Sequence, residues 1–120
     1  MNFNKFTIKS QEAVQKAQQI VQELGQQEIK NGHILKGIFE VDENVIPFIL
    51  NKLGVTISIF KKTLDTIVQS FSKVEGGELM FSIESSKMLI ETQNIAKKMN
   101  DEYVSIEHLL LGILNSKGDA

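Results

Sequence analysis

Cysteine is absent from the sequence, so neither a disulfide framework nor a thiol nucleophile is available. No apolar run approaches the roughly 18 residues that a membrane span needs. The opening Met1-Asn2-Phe3-Asn4-Lys5 has no apolar run behind it and does not read as a signal peptide. A cytoplasmic location is the resulting expectation. Positive charge is not in excess: 13 Lys+Arg stand against 15 Asp+Glu, a net charge of −2. Nucleic acid is therefore not the expected partner, because neutralising phosphate takes clustered cations. Catalytic loops are missing too. There is no Gly-x-Ser-x-Gly elbow, and no glycine is followed by Lys and then Ser or Thr as in a phosphate loop. No catalytic residue and no cofactor site is expected within these residues.

What is present is a duplication. His33-Ile34-Leu35-Lys36-Gly37-Ile38 returns as His108-Leu109-Leu110-Leu111-Gly112-Ile113, an offset of 75. The same offset matches Phe6-Thr7-Ile8 with Phe81-Ser82-Ile83, Ser10 with Ser85, Gln18 with Gln93, Ile20 with Ile95 and Ile29 with Val104. A constant offset over more than thirty residues, without gaps, marks a repeated structural unit. The 120 residues, 42% hydrophobic and 23% charged, suit one domain with a modest core.

Helical periodicity places the elements. Ala13, Val14, Ala17, Ile20, Val21 and Leu24 form one stripe, predicting a helix over 6–24 that Thr7 caps and Gly25 stops. Gln11, Gln15, Gln18, Gln19 and Gln22 fill its solvated face. Helices are predicted over 31–40, 45–53 and 59–71, with the single proline, Pro47, tolerated in a first turn. Residues 72–80, with the Gly76-Gly77 pair, read as a linker. A helix over 83–99 capped by Ser82, with Met88, Leu89, Ile95, Ala96 and Met99 as its buried stripe, and another over 106–114 capped by Ser105 complete the pattern. The expected fold is thus all-α: a tandem four-helix repeat about a pseudo-twofold axis. Repeat one covers 6–71, and a truncated repeat two covers 81–120. Counterparts of the third and fourth helices would begin near residue 120, so the sequence reads as a fragment.

Two sets of residues stand out. His33 and His108 open matching short helices. Zinc needs three or four ligands, and neither histidine has a Cys, His or acidic partner at i+3 or i+4. They read as partly buried imidazoles that satisfy a backbone group where the repeats join, with no metal. The second set is an apolar surplus: Gln15, Asn31 and Lys36 in the first copy become Ile90, Ile106 and Leu111 in the second. Since the first copy folds with polar groups there, the three form a candidate binding patch for unfolded chain. The other reading has them packed beneath further helices or in the junction.

The second helix of repeat two begins Glu107-His108-Leu109-Leu110, and the first copy departs from this as Gly32-His33-Ile34-Leu35. With the duplication, this resembles the N-terminal domain of the Clp family of ATP-driven protein unfoldases. Phe6-Thr7-x-Lys9-Ser10-Gln11-Glu12-Ala13 and Lys73-Val74-Glu75-Gly76-Gly77 are most similar to the ClpB-type disaggregases of that family. The resemblance implies a stress-response (heat-shock) chaperone module that binds unfolded or aggregated polypeptide. That module would deliver it to AAA+ ATPase modules of the same chain, assembled as a homohexamer using ATP and magnesium. It also implies cooperation with a DnaK-type chaperone system through other domains. Thr7, Asp101 and Glu107 are the polar positions to which the resemblance assigns a role in function; each also suits a cap or a loop beside one. An adaptor-docking domain of a protease-linked ClpA/ClpC-type unfoldase is the alternative.

Overall fold

A computed structural model of the chain describes residues 2–74 and 77–116. The elements are α1 (Ile8–Glu23), β1 (Glu28–Ile29), α2 (Asn31–Val41), α3 (Val45–Lys52), α4 (Ile57–Gln69), β2 (Met80–Phe81), α5 (Ile83–Lys98) and α6 (Ile106–Asn115). All six predicted helices are present. The fourth begins two residues early, after Thr56, and α1 begins after its cap rather than at Phe6. Gly76 and residues 117–120, part of the predicted linker and tail, lie outside the described residues.

The capping chemistry is duplicated with the sequence. Thr7 Oγ1 accepts from the Ser10 N–H at 3.2 Å, and Ser82 Oγ accepts from the Ser85 N–H at 3.1 Å. Each bond satisfies one of the free donors of a first helical turn. α3 is started by Asp42, whose buried carboxylate accepts from the N–H groups of Val45 and Ile46.

α1 packs along α2, and α5 along α6. At both crossings the helices touch through a glycine: a Cβ at Gly37 would run into the Ala13 carbonyl, and one at Gly112 into the Thr92 hydroxyl. The facing residues differ, Ala13 and Ala17 in repeat one, Met88 and Thr92 in repeat two. Small alanines let α1 and α2 approach along more of their length than α5 and α6 do.

The repeats are joined crosswise. β1 pairs parallel with β2, Ile29 opposite Phe81, and Phe6 pairs in the same sense with Val104. These two-residue strands carry no alternation long enough to read from sequence. Ser10 Oγ donates to Val104 O at 2.8 Å, and Ser85 Oγ donates to Ile29 O at 2.7 Å. Every one of these contacts has its partner at the offset of 75, which is the pseudo-twofold expressed in hydrogen bonds. Phe3 meets Phe6 edge to face, with centroids 4.8 Å apart, and lies tilted against Phe81 across the seam.

The core holds Ile20, Ile34, Leu35, Ile38, Ile46, Leu50, Met88, Leu89, Leu109 and Ile113. A fully buried side chain of this size contributes about 1.5–3 kcal/mol. Ile95, matched to buried Ile20, is half-buried rather than exposed. Met99, predicted in the buried stripe, is 54% exposed because it sits past the end of α5, where the chain turns away.

Candidate functional site

Each short second helix opens with the same small polar device. His33 Nδ1 accepts from the Lys30 N–H, and His108 Nδ1 accepts from the Ser105 N–H, both at 2.9 Å. A ring nitrogen that accepts carries no proton, so Nε2 is the protonated nitrogen in each neutral ring. His33 Nε2 lies 2.6 Å from Gln26 Oε1, and His108 Nε2 lies 2.9 Å from Asp101 Oδ2. Both nitrogens of both rings are therefore engaged in holding loops. Among the described residues no cluster of three or more His, Asp or Glu side chains is arranged to hold a metal. His33 is fully buried, more so than its sequence suggests, and its pKa is lowered to about 4. Burial is the main cause, and the charges of Lys30 and Lys36 act in the same direction.

The partners Gln26 and Asp101 stand at matching positions, seven residues before each histidine. Gln26 is buried, and its Nε2 also donates to Val68 O at 2.7 Å and Phe71 O at 3.3 Å, capping the end of α4. Asp101 is exposed, its side chain 48% accessible. The role of Gln26 went unread from sequence. The signal was the offset, which pairs an amide with a carboxylate.

The polar candidates converge on one segment. Asp101 holds His108, and Glu107 lies exposed in the first turn of α6 beside it. Thr7 reaches the same segment through its backbone, its N–H donating to Val104 O at 2.9 Å, while its hydroxyl is engaged with Ser10.

The apolar candidates separate. Ile90 is 54% exposed and Leu111 40%, whereas Ile106 is 3% exposed and belongs to the core. Ile106 is thus not part of a surface patch. Its counterpart Asn31 is itself fully buried, its Nδ2 donating to Ser116 Oγ at 3.0 Å, so a polar residue at that position did not mean a surface position. Leu111 and Leu114 occupy the face of α6 whose counterpart on α2 is covered by α4. There Lys36 pairs with Asp65 at 3.0 Å, and Phe39 packs on Phe60. Ile90 differs: its counterpart Gln15 is exposed, so nothing covers that position in repeat one. Between α5 and α6 runs a cleft of about 580 Å³ floored by Met88 and Gly112 and edged by Glu84, Lys87 and Glu91. Neither Ile90 nor Leu111 lines it.

The architecture is that of an all-α tandem-repeat domain with capped loops and a crosswise seam. The Clp repeat (R) N-terminal domain family matches residues 5–120, and the chain belongs to that family. It is 49% identical over 117 residues to the chaperone protein ClpB of Bacteroides thetaiotaomicron, covering 98% of this chain and 14% of that protein. With ClpB of Porphyromonas gingivalis it shares 36% over 120 residues, the whole chain and again 14% of the relative. The chain thus spans about a seventh of the length of these relatives. Its fold matches the Hsp104 N-terminal domain of Candida albicans with a TM-score of 0.85 at 15% identity, covering 93% of this chain and 75% of that one. The N-terminal domain of the Arabidopsis thaliana chaperone ClpD matches at 0.73 and 21% identity, covering 96% and 79%. What is matched is the N-terminal domain and not the ATPase.

Proposed function

We propose that this chain is the substrate-engaging module of a ClpB-type disaggregating chaperone. It captures unfolded or aggregated polypeptide and hands it to AAA+ modules of the same protein. Those modules would work as a cytoplasmic homohexamer that uses ATP and magnesium and cooperates, through other domains, with a DnaK-type system. The observation that supports capture is Ile90: an exposed isoleucine where the matched position carries an exposed glutamine. Covering one such side chain contributes about 1.5–3 kcal/mol before ordering costs. That magnitude suits weak, sequence-tolerant binding. Leu111 adds to the surface, and Thr7, Asp101 and Glu107 shape the neighbouring polar segment.

The test copies repeat one into repeat two. Ile90→Gln and Leu111→Lys, made together in the full-length protein, should weaken binding to a permanently unfolded reporter protein several-fold with near-normal thermal stability. A large fall in melting temperature would show that the side chains are core in the longer protein. Unchanged binding at unchanged stability would place capture elsewhere. Binding that weakens steeply with added salt would favour the adaptor-docking alternative, because screening acts on charge and not on apolar contact.

A further inference from the structure

We infer that two copies of this chain dock side by side, α1 of one against α5 of the other, parallel and in register, by pairing opposite charges. The inference stands whether or not the chain captures polypeptide.

The observation is an inversion of sign between the repeats. The charged residues of α1 are Lys9, Glu12, Lys16 and Glu23. At the offset of 75, α5 carries Glu84, Lys87, Glu91 and Lys98, each of the opposite sign. With Gln19 and its counterpart Asn94, these positions follow one another at alternating spacings of three and four residues. That spacing sets them on one stripe of each helix. Lys16 is half-buried, and every other member of both stripes is exposed.

The helices do not account for the pattern one at a time. The helix dipole favours acids in the first turn and bases in the last. α5 obeys, with Glu84 in its first turn and Lys97 and Lys98 in its last. α1 runs against the rule, with Lys9 in its first turn and Glu23 as its last residue. Lys9 has a local partner, the buried Asp42 at 3.7 Å. Glu12, Glu23, Glu84, Lys87, Glu91 and Lys98 make no ion pair among the described residues. Lys16 reaches only the Gln19 amide oxygen, at 3.4 Å. What the α1 stripe needs, the α5 stripe offers in the same order. Within one chain no charge of one stripe pairs with the other, so the partner is a second copy. The α1 stripe is exposed although all four helices of its repeat are present: α4 packs on α2 and α3, and α3 on α2, α4 and α6.

Charge fixes the geometry. Laid parallel and in register, Lys9 meets Glu84, Glu12 meets Lys87, Lys16 meets Glu91, Gln19 meets Asn94 and Glu23 meets Lys98. Turned antiparallel, Lys9 would meet Lys98 and Glu23 would meet Glu84. α1 laid parallel on a second α1 sets every charge against its like. The pattern thus selects one partner and one direction by repulsion as well as attraction. Ile8 and Ile83, both exposed, border the stripes at matched places and give the pairing some apolar surface to cover. Ile90 lies beside the α5 stripe, not on it. Exposed ion pairs contribute little each and are screened by salt. The contact therefore suits copies already held together, where effective concentration is high. It uses a different face on each copy, so it runs head to tail, the arrangement that closes into rings.

Cross-linking tests it, because the 120-residue chain has no cysteine of its own. One batch carries Gln19→Cys and another Asn94→Cys, and equal amounts are mixed at low salt and oxidised. The product joining position 19 to position 94 should exceed each like-with-like product about fivefold or more, where random collision gives about twofold, and the excess should shrink in about 0.5 M salt. Glu12→Lys, Lys16→Glu and Glu23→Lys, added together to the first batch, should abolish the excess. Lys87→Glu, Glu91→Lys and Lys98→Glu, added to the second, should then restore it, which a folding defect cannot do. Lys9 is left in place because it holds Asp42. Random yields, an excess of either like-with-like product, an excess that survives the first reversal, or a loss that the second reversal does not repair would each overturn the contact. None of these outcomes bears on the capture of unfolded chain, which the Ile90 and Leu111 variants read separately.

Discussion

The two repeats share a backbone plan and differ in what their polar side chains are committed to. In the first, Gln26, His33 and the end of α4 form one closed chain of hydrogen bonds, every member buried or covered. In the second, the same histidine keeps the same backbone bond, but its outer partner is an exposed carboxylate. The lesson is that the cap is the invariant and the outer partner is free to vary. One copy uses its partner to hold its own fold; the other leaves that partner facing solvent.

The largest expected effect tests the closed half of this comparison with acid. The His33 pKa, lowered to about 4 from an ordinary 6.5, means that the unfolded chain takes up a proton that the folded chain refuses. Stability from His33 is therefore complete above pH 6.5 and is lost as the pH falls toward 4, a change of about 3 kcal/mol. Urea unfolding between pH 7 and 4.5 should show this slope, and His33→Gln should flatten it. A slope that survives in the variant would mean the buried network is not its source.

A step down in size, the two glycine crossings compare backbone with side chain as the obstacle. Gly37→Ala drives a methyl group into the Ala13 carbonyl and should cost about 2 kcal/mol, since the helices must separate. Gly112→Ala meets the Thr92 hydroxyl first, which can rotate, and should cost about 1 kcal/mol. Calorimetric melting of both variants gives the ranking; equal costs would show that α5 and α6 are as closely locked as α1 and α2. The smallest effect should be symmetric. Thr7→Ala and Ser82→Ala each remove one cap bond of matching geometry, and each should cost about 1 kcal/mol. A clear inequality between them would argue that Thr7 does more than cap.

Helices were readable because α1 and α5 carry stripes of four turns or more and end in recognisable caps and stops. The crosswise strands were not, since Glu28–Ile29 and Met80–Phe81 are too short to show a period. The histidine partners escaped because a search at i+3 and i+4 along a helix cannot see across a loop to i−7. Ile106 was misplaced by treating a polar residue in one copy as proof of a surface position in both. Asn31 lies buried at a helix start with its amide bonded to Ser116, though its Oδ1 has no partner among the described residues. Polarity in a sequence reports what a residue needs, and a buried neighbour can meet part of that need.

The seam has a kinetic consequence. The bond from Ser10 to Val104 joins residues 94 apart, and the bond from Ser85 to Ile29 joins residues 56 apart. The start of each repeat's first helix is thus completed only by the other repeat. Neither half can finish its own nucleus while the chain between them is still searching, and the entropy of closing such long loops falls on the rate of folding. By the same wiring, pulling one repeat open strips the other of its first turn. Under load the duplicated halves should give way in a single event rather than in two.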